Sequence, residues 1–99
     1  MEIKKNQSGK SIILSLKGRL DTVTSPKLQD ALAEVLTDFN DVELDFASID
    51  YVSSAGLRVL LFGQKKSHSS GKTMKLKNVS PEVMEVFEVT GFNGMLTIE

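Results

Sequence analysis

Residues 42–62 have the sequence VELDFASIDYVSSAGLRVLLF, and this stretch decides the fold. Residues 42–46 are largely apolar and predict a buried β-strand. Residues 57–62 have the apolar content of a buried helix. The four small residues at 53–56 join the two segments, so the junction is predicted to be the N-terminus of a helix that carries two serine hydroxyls.

The two serines of this junction face different directions. At about 100° per residue, Ser54 falls on the polar stripe of the helix with Arg58 and Lys65, whereas Ser53 falls beside Leu60 on the apolar side. We therefore predict that Ser53 is the N-cap and that Ser54 is exposed and open to modification. An anion is favoured at this end, because the first amides lack partners and the helix dipole is positive there.

The chain before this stretch predicts a β-hairpin and an amphipathic helix. Residues 3–7 and 11–17 have strand patterns, and residues 8–10 are expected to form the turn between them. Ser25 is the expected N-cap of a helix whose first residue is Pro26. The apolar residues of this helix recur at helical spacing: Leu28, Ala31, Leu32, Val35, Leu36 and Phe39.

The chain after residue 62 alternates between helix and strand. The central helix is expected to end at residues 69–71, and residues 73–77 form a short strand. Ser80 and Pro81 begin a third helix that stops near Gly91, and residues 95–98 form a last short strand. This order predicts a single α/β domain over residues 1–99, in which helices pack on a mixed, largely parallel sheet that begins with a hairpin.

Composition limits the functions open to a chain of 99 residues. The 12 Lys and Arg balance 13 Asp and Glu, so the chain has no excess of positive charge that would attract nucleic acid or an anionic membrane. The absence of cysteine excludes disulfides and thiolate metal ligands and fits the cytoplasm. No leader or spanning segment is visible, so we expect a soluble cytoplasmic protein without membrane insertion.

An enzyme would need a nucleophile and a base within reach of each other. The strongest pair that the sequence offers is Ser54 with His68, the single histidine. These residues lie fourteen positions apart on one predicted helix, about 20 Å by helical rise. We therefore expect no catalytic residues, no metal, no cofactor and no enzymatic activity.

Three segments of the chain resemble one protein family. Residues 50–61, DYVSSAGLRVLL, resemble the signature segment of the STAS domains that act as anti-sigma-factor antagonists. Residues 18–21, GRLD, resemble the Gly-x-Leu-Asp turn of the family, and residues 87–92, FEVTGF, resemble its C-terminal helix and glycine stop. The resemblance covers almost the whole chain and implies a STAS fold.

The resemblance also implies a function. An antagonist of this family binds an anti-sigma factor that is often a serine kinase, and this binding frees a sigma factor for transcription. The kinase phosphorylates a loop serine and ends the binding, and a serine phosphatase is an expected further partner. Carried onto this chain, the phosphate acceptor is Ser54. The expected partner-binding residues are Asp21, Ser53, Ser54, Ala55, Gly56 and Arg58.

Several alternatives stay open. Many antagonists have an acidic residue in place of Ser53 and a second hydroxyl residue in place of Ala55, so Ser53 is a second candidate for modification. Instead of binding a partner, Asp21 could have a local role in which its carboxylate accepts hydrogen bonds from loop amides. Arg58 lies one turn after Ser54 and could hold a phosphate in cis. The alternative function is a cytosolic STAS docking subunit of a lipid-transport ATPase or of a sensory complex.

Overall fold

The computed structural model describes all residues from Met1 to Glu99 and contains one four-stranded sheet with the order β1-β2-β3-β4. The strands are β1 (Glu2–Ser8), β2 (Ser11–Leu20), β3 (Asp41–Val52) and β4 (Thr73–Lys77). β1 and β2 form an antiparallel hairpin, whereas β2 pairs with β3, and β3 with β4, in parallel. The predicted α/β fold with a mixed, largely parallel sheet and an N-terminal hairpin is confirmed.

Three helices cover one face of the sheet: α1 (Ser25–Asp38), α2 (Ser54–Ser69) and α3 (Pro81–Thr90). Burial alternates along the strands because successive side chains point to opposite faces. The buried side chains of the three parallel strands include Ile12, Leu14, Leu16, Val42, Leu44, Phe46, Met74 and Leu76. The ring of Phe46 meets the ring of Phe87 in α3 edge to face, with centroids 6.4 Å apart.

The helix boundaries at α2 and α3 agree with the sequence. Ser53 is the N-cap of α2, and Ser80 is the N-cap of α3, where its hydroxyl accepts a 3.2 Å hydrogen bond from the N–H of Val83. Gly91 ends α3 with a φ of 79°, a left-handed conformation that glycine adopts without strain.

Two strands are longer than the sequence indicated. β2 continues through Gly18 to Leu20, and β3 extends from Asp41 to Val52, so the turn that the resemblance placed at residues 18–21 begins only at Asp21. Register shifts between Ser15 and Lys17 and between Gly18 and Arg19 explain the difference. Such irregularities interrupt the alternation of apolar and polar residues although the pairing of the strands continues.

The start of α1 also differs from the prediction. Ser25 is not the N-cap but the first helical residue, and Thr24 occupies the N-cap position without a side-chain cap bond. The carboxylate of Asp21 already accepts hydrogen bonds from the N–H groups of Val23 and Thr24, so the chain turns before Ser25. The buried hydroxyl of Ser25 donates to the carbonyl oxygen of Asp21 instead of capping the helix.

The last strand predicted at residues 95–98 is reduced to one bridge. A 3-10 turn covers Phe92–Gly94, and only Ile98 pairs with Leu76, in parallel. The side-chain oxygen of Gln64 accepts the N–H of Thr97 at 3.0 Å. Because this backbone group is taken by a side chain of α2, no regular ladder forms with β4.

Candidate functional site

The candidate site lies where the C-terminal ends of β2 and β3 meet the first turn of α2. The N–H of Ser53 donates a 2.9 Å hydrogen bond to the carbonyl oxygen of Leu20, the last residue of β2. Gly56 packs against the same residue, since a β-carbon at position 56 would lie 2.8 Å from Cγ of Leu20 and 2.9 Å from its carbonyl oxygen. The close approach of α2 to β2 therefore requires glycine at this position.

Ser53 caps α2 as the sequence predicted. Its backbone is extended, with φ −90° and ψ 174°, and its hydroxyl accepts a 3.3 Å hydrogen bond from the N–H of Gly56. The side chain is half-buried. The hydroxyl of Ser53 is thus engaged in holding the first turn of the helix.

Ser54 is the first residue of α2, and it is exposed together with Arg58 and Lys65. The predicted division between a capping Ser53 and a solvent-facing Ser54 is confirmed. No acidic residue lies in the first turn of α2, so no side chain offsets the positive end of the helix dipole. An anion on Ser54 would therefore be stabilised by the dipole.

Asp21 closes a tight turn between β2 and α1. Its Oδ1 accepts hydrogen bonds of 3.0 Å from the N–H groups of both Val23 and Thr24, and the hydroxyl of Thr24 lies 3.2 Å from the same oxygen. That hydroxyl accepts the N–H of Asp21 at 2.9 Å and donates to the carbonyl oxygen of Arg19 at 2.6 Å. Asp21 therefore has the local role that the sequence offered as an alternative, in which its carboxylate accepts hydrogen bonds from loop amides.

The same hydrogen bonds lower the pKa of the Asp21 carboxyl below its ordinary value. The N–H of Thr24 is the largest cause, and partial loss of hydration opposes it. The hydroxyl of Thr24, the N–H of Val23 and the guanidinium of Arg19 lower the pKa further. All of these donors favour the charged form, so Asp21 carries its negative charge at neutral pH.

Arg19 and Tyr51 form an exposed pair that sequence reasoning missed. The two residues are partners in the β2–β3 register, and the guanidinium carbon of Arg19 lies 4.1 Å from the centroid of the Tyr51 ring. Nε of Arg19 is also 3.7 Å from Oδ2 of Asp21. The pairing depends on the register shift in β2, so residue spacing alone gives no signal for it.

A shallow depression joins the Asp21 turn to the first turns of α2. It is lined by Thr22, Ser25, Pro26, Gln29, Ala55, Arg58 and Val59. The start of α1 forms one wall, and α2 forms the other. The turn after β2 and the helix that begins with Ser54 therefore present one continuous surface.

The predicted site residues are brought together, but they differ in accessibility. Ser54 and Arg58 are exposed, Ser53, Ala55 and Asp21 are half-buried, and Gly56 is buried against Leu20. Gly56 offers no surface, so its part in the site is to let α2 approach β2. Sequence reasoning also missed Thr24, although an aspartate followed three residues later by threonine is a pattern typical of a hydrogen-bonded turn.

Ser54 and His68 lie far apart in the structure. Ser54 begins α2, whereas His68 lies next to its last residue, so the two side chains are at opposite ends of the helix. No three His, Asp or Glu side chains come together as a metal site. None of the three helices combines the length and the apolar character needed to cross a bilayer.

Comparisons with known proteins define the family. The family model described as "Mlab, STAS domain" matches residues 3–97. BtrV of Bordetella bronchiseptica, which bears the provisional name of anti-sigma factor antagonist, is 34% identical over 88 residues, covering 88% of this chain and 76% of BtrV. The anti-sigma-B factor antagonist of Bacillus subtilis is 24% identical over 98 residues, covering 99% of this chain and 88% of that protein. The chain belongs to the STAS-domain family of anti-sigma-factor antagonists.

Solved structures of the anti-sigma factor antagonist SpoIIAA have the same fold. The unphosphorylated form matches with a TM-score of 0.82 at 16% identity, covering 99% of this chain and 88% of that chain. The phosphorylated form, from Bacillus, matches with a TM-score of 0.76 at 15% identity, covering 99% of this chain and 91% of that chain. At these identities the likeness establishes the shared STAS fold and nothing beyond it.

Proposed function

We propose that this chain is an anti-sigma factor antagonist that is switched off by phosphorylation of Ser54. In its unmodified form it binds an anti-sigma factor that is also a serine kinase, and this binding releases a sigma factor. A serine phosphatase returns the modified chain to its binding form. The protein acts in the cytoplasm as a binding regulator and not as an enzyme. The names of its relatives support the class of partner.

The observation that carries the proposal is the exposure of Ser54 at the start of α2. A kinase can reach this hydroxyl without unfolding the helix. Ser53, the second candidate, is half-buried, and its hydroxyl is bonded to the N–H of Gly56. Modification of Ser53 would remove the cap of α2, so Ser54 is the better acceptor.

A phosphate on Ser54 has opposite effects on the fold and on the complex. It adds about −1.5 to −2 charges, which the N-terminus of α2 stabilises by about 0.3 to 1 kcal/mol. A partner that closes over Ser54 would have to bury this charge, which costs several kcal/mol, and about every 1.4 kcal/mol is a tenfold loss of affinity. The existence of both forms of SpoIIAA with this fold supports a scaffold that survives modification.

The proposed partner surface surrounds Ser54. It includes Arg58, which lines the depression that joins the turn to α2, and Asp21, which directly precedes the lining residue Thr22. Ser53 and Ala55 contribute at the start of the helix, and Gly56 acts by keeping α2 against β2. Ala55 lines the depression, so a partner that fills it would contact the helix directly beside the modified residue.

The experiment starts with capture of partners from the source organism on immobilised wild-type chain. An anti-sigma factor identified by mass spectrometry is then purified and incubated with ATP and the wild-type, Ser54→Ala and Ser53→Ala chains. We expect phosphate transfer to the wild type and to Ser53→Ala but not to Ser54→Ala. Fragmentation of peptides within residues 42–64 locates the phosphate between the two serines.

Binding is measured with the same purified partner. Ser54→Ala should bind as tightly as the wild type and stay bound in the presence of ATP, whereas Ser54→Asp should fold and bind weakly. A tight complex with Ser54→Asp, or phosphate on Ser53 in the wild type, would overturn the proposed switch.

A second candidate function is a docking subunit of a lipid-transport ATPase or of a sensory complex. This second function is supported by the family description, which reads "Mlab, STAS domain" and does not mention an antagonist. Such a subunit would use the same surface without a phosphate switch. Capture of an ATPase subunit in place of an anti-sigma factor, with no phosphate on Ser54, is the result that selects it.

A further inference from the structure

We propose that the turn formed by residues 21–24 is a rigid docking tip for the anti-sigma factor. Val23 makes the apolar contact with the partner, and Asp21 and Thr24 are positioning residues that act through Val23. This inference rests on the proposed function, and it assigns the contact to a residue that lies outside the resemblance to the family.

Val23 is the most exposed of the large apolar residues of the chain. Val23 is 86% exposed, and it lies between β2 and α1 in the turn closed by Asp21. When a partner covers an exposed apolar side chain, binding is favoured because apolar surface is removed from water. Val89 in α3 is 80% exposed and lies outside the site, so it is a matched control.

The turn is held in one conformation by its own hydrogen bonds. The N–H groups of Val23 and Thr24 both donate to Oδ1 of Asp21, and the hydroxyl of Thr24 links the N–H of Asp21 to the carbonyl oxygen of Arg19. Ser25 adds bonds from its N–H and its hydroxyl to the carbonyl oxygen of Asp21. A contact residue on such a turn binds with little loss of conformational freedom.

The carboxylate of Asp21 is directed into the turn. Oδ1 receives two backbone N–H groups and lies within hydrogen-bonding distance of the Thr24 hydroxyl, while Oδ2 faces Nε of Arg19 at 3.7 Å. Oδ1 is therefore occupied by donors of the turn itself, whereas Oδ2 makes only the longer ion-pair contact with Arg19. Asp21 therefore contributes to binding by fixing the position of Val23.

The tip is continuous with the surface that carries Ser54. Thr22, directly before Val23, and Ser25, two residues after it, line the same depression as Ala55 and Arg58 of α2. A partner that covers Ser54 therefore reaches the tip without a break in the surface. The occupant of this surface is the anti-sigma factor that the phosphate on Ser54 repels.

The test uses the anti-sigma factor of the source organism, purified after its capture on wild-type chain. Each variant is titrated against it by calorimetry without ATP. Val23→Ser should weaken binding by about tenfold, because the free energy of burying a valine side chain is about 1.5 kcal/mol or more. Val89→Ser should bind within about twofold of the wild type. Equal affinities of the two variants would overturn the contact assigned to Val23.

The positioning role is tested by two pairs of substitutions. Asp21→Asn keeps a side-chain oxygen that accepts the two N–H groups, and Thr24→Ser keeps the hydroxyl, so both should bind within about threefold of the wild type. Asp21→Ala and Thr24→Val remove these groups and should weaken binding by about three- to tenfold, because the turn must then be ordered on binding. All variants are compared at a temperature where circular dichroism shows each of them fully folded.

The outcomes separate this inference from the proposed function. Loss of binding by Asp21→Asn equal to that of Asp21→Ala would show that the charge itself contacts the partner, and it would overturn the positioning role. Failure of the wild-type chain to bind any anti-sigma factor would overturn the proposed function. Binding by the wild type with no effect of Val23→Ser overturns the docking tip alone.

Discussion

The N–H of Ser53 donates a 2.9 Å hydrogen bond to the carbonyl oxygen of Leu20, and this bond joins the end of β2 to the start of α2. The helix that presents Ser54 is thereby fixed relative to the turn that presents Val23. The spacing of the two surface residues depends on the close contact between Leu20 and the first turn of α2. Substitutions at this contact are therefore expected to lower the stability of the domain.

Gly56→Ala should destabilise the protein by about 1–3 kcal/mol, because its β-carbon would overlap Cγ and the carbonyl oxygen of Leu20. The backbone oxygen cannot move aside without breaking the bond to Ser53. Gly94→Ala is the control, since no atom lies within 4 Å of a β-carbon at that position. Urea unfolding measures both variants. A Gly56→Ala protein as stable as the wild type would contradict the close packing of α2 on β2.

The two serines of the junction should differ in their effects on stability. Ser53→Ala removes the hydroxyl that accepts the N–H of Gly56, and it should lower the free energy of unfolding by about 1 kcal/mol. Ser54→Ala changes an exposed side chain and should stay within about 0.5 kcal/mol of the wild type. Chemical denaturation of the unphosphorylated proteins gives the comparison. Equal losses for both variants would contradict the assignment of the cap to Ser53.

Local patterns in the sequence predicted the sheet, the helices and the division of roles between Ser53 and Ser54. Alternation of apolar residues and serine caps act over a few positions, so they are visible without the fold. The stacking of Arg19 on Tyr51 was not predicted, and the hydrogen bonds of Asp21 to loop amides were predicted only as an alternative. They depend on which residues the β2–β3 register places opposite each other and on where the chain leaves β2.

The boundaries that were wrong have the same physical origin. Ser25 and Pro26 form a good cap signal, but the carboxylate of Asp21 starts the turn earlier and leaves the hydroxyl of Ser25 buried. The C-terminal segment has strand-like residues, but the side chain of Gln64 takes the N–H of Thr97. In both places a side chain outside the pattern binds backbone N–H groups: Asp21 lies four residues before Ser25, and Gln64 lies 33 residues before Thr97.

Asp21 should contribute to the pH dependence of stability. Its pKa is lowered in the folded protein by the N–H of Thr24, the hydroxyl of Thr24, the N–H of Val23 and Arg19. A lowered pKa means that the ionised group stabilises the fold above its ordinary pKa, and that this contribution is lost as the pH falls through the folded value. The stability difference between the wild type and Asp21→Asn should therefore shrink on acidification. A constant difference from about pH 7 to about pH 3 would contradict the hydrogen-bonded carboxylate.

A negative charge on Ser54 should stabilise the isolated domain. Ser54→Asp places a carboxylate at the first residue of α2, whose first turn has no acidic residue, and should raise the free energy of unfolding by about 0.3–1 kcal/mol at low salt. The uncharged Ser54→Asn is the control. The difference between the two variants should fall as salt is added, because exposed charges are screened. A destabilising effect of the aspartate at low salt would argue against a dipole-supported phosphate.

Arg58 should support the phosphate on Ser54, because the two residues are exposed and one helical turn apart. Phosphorylation is expected to stabilise the wild type more than Arg58→Ala, by about 0.5 kcal/mol or more, since the pair interacts across one turn and the phosphate carries more than one charge. Lys65→Ala removes an exposed cation about 16 Å further along the same helix and should leave the effect of phosphate unchanged. Thermal unfolding of each protein before and after phosphorylation gives the comparison. If Arg58→Ala and Lys65→Ala respond alike, the phosphate is held by the helix N-terminus without help from the side chain of Arg58.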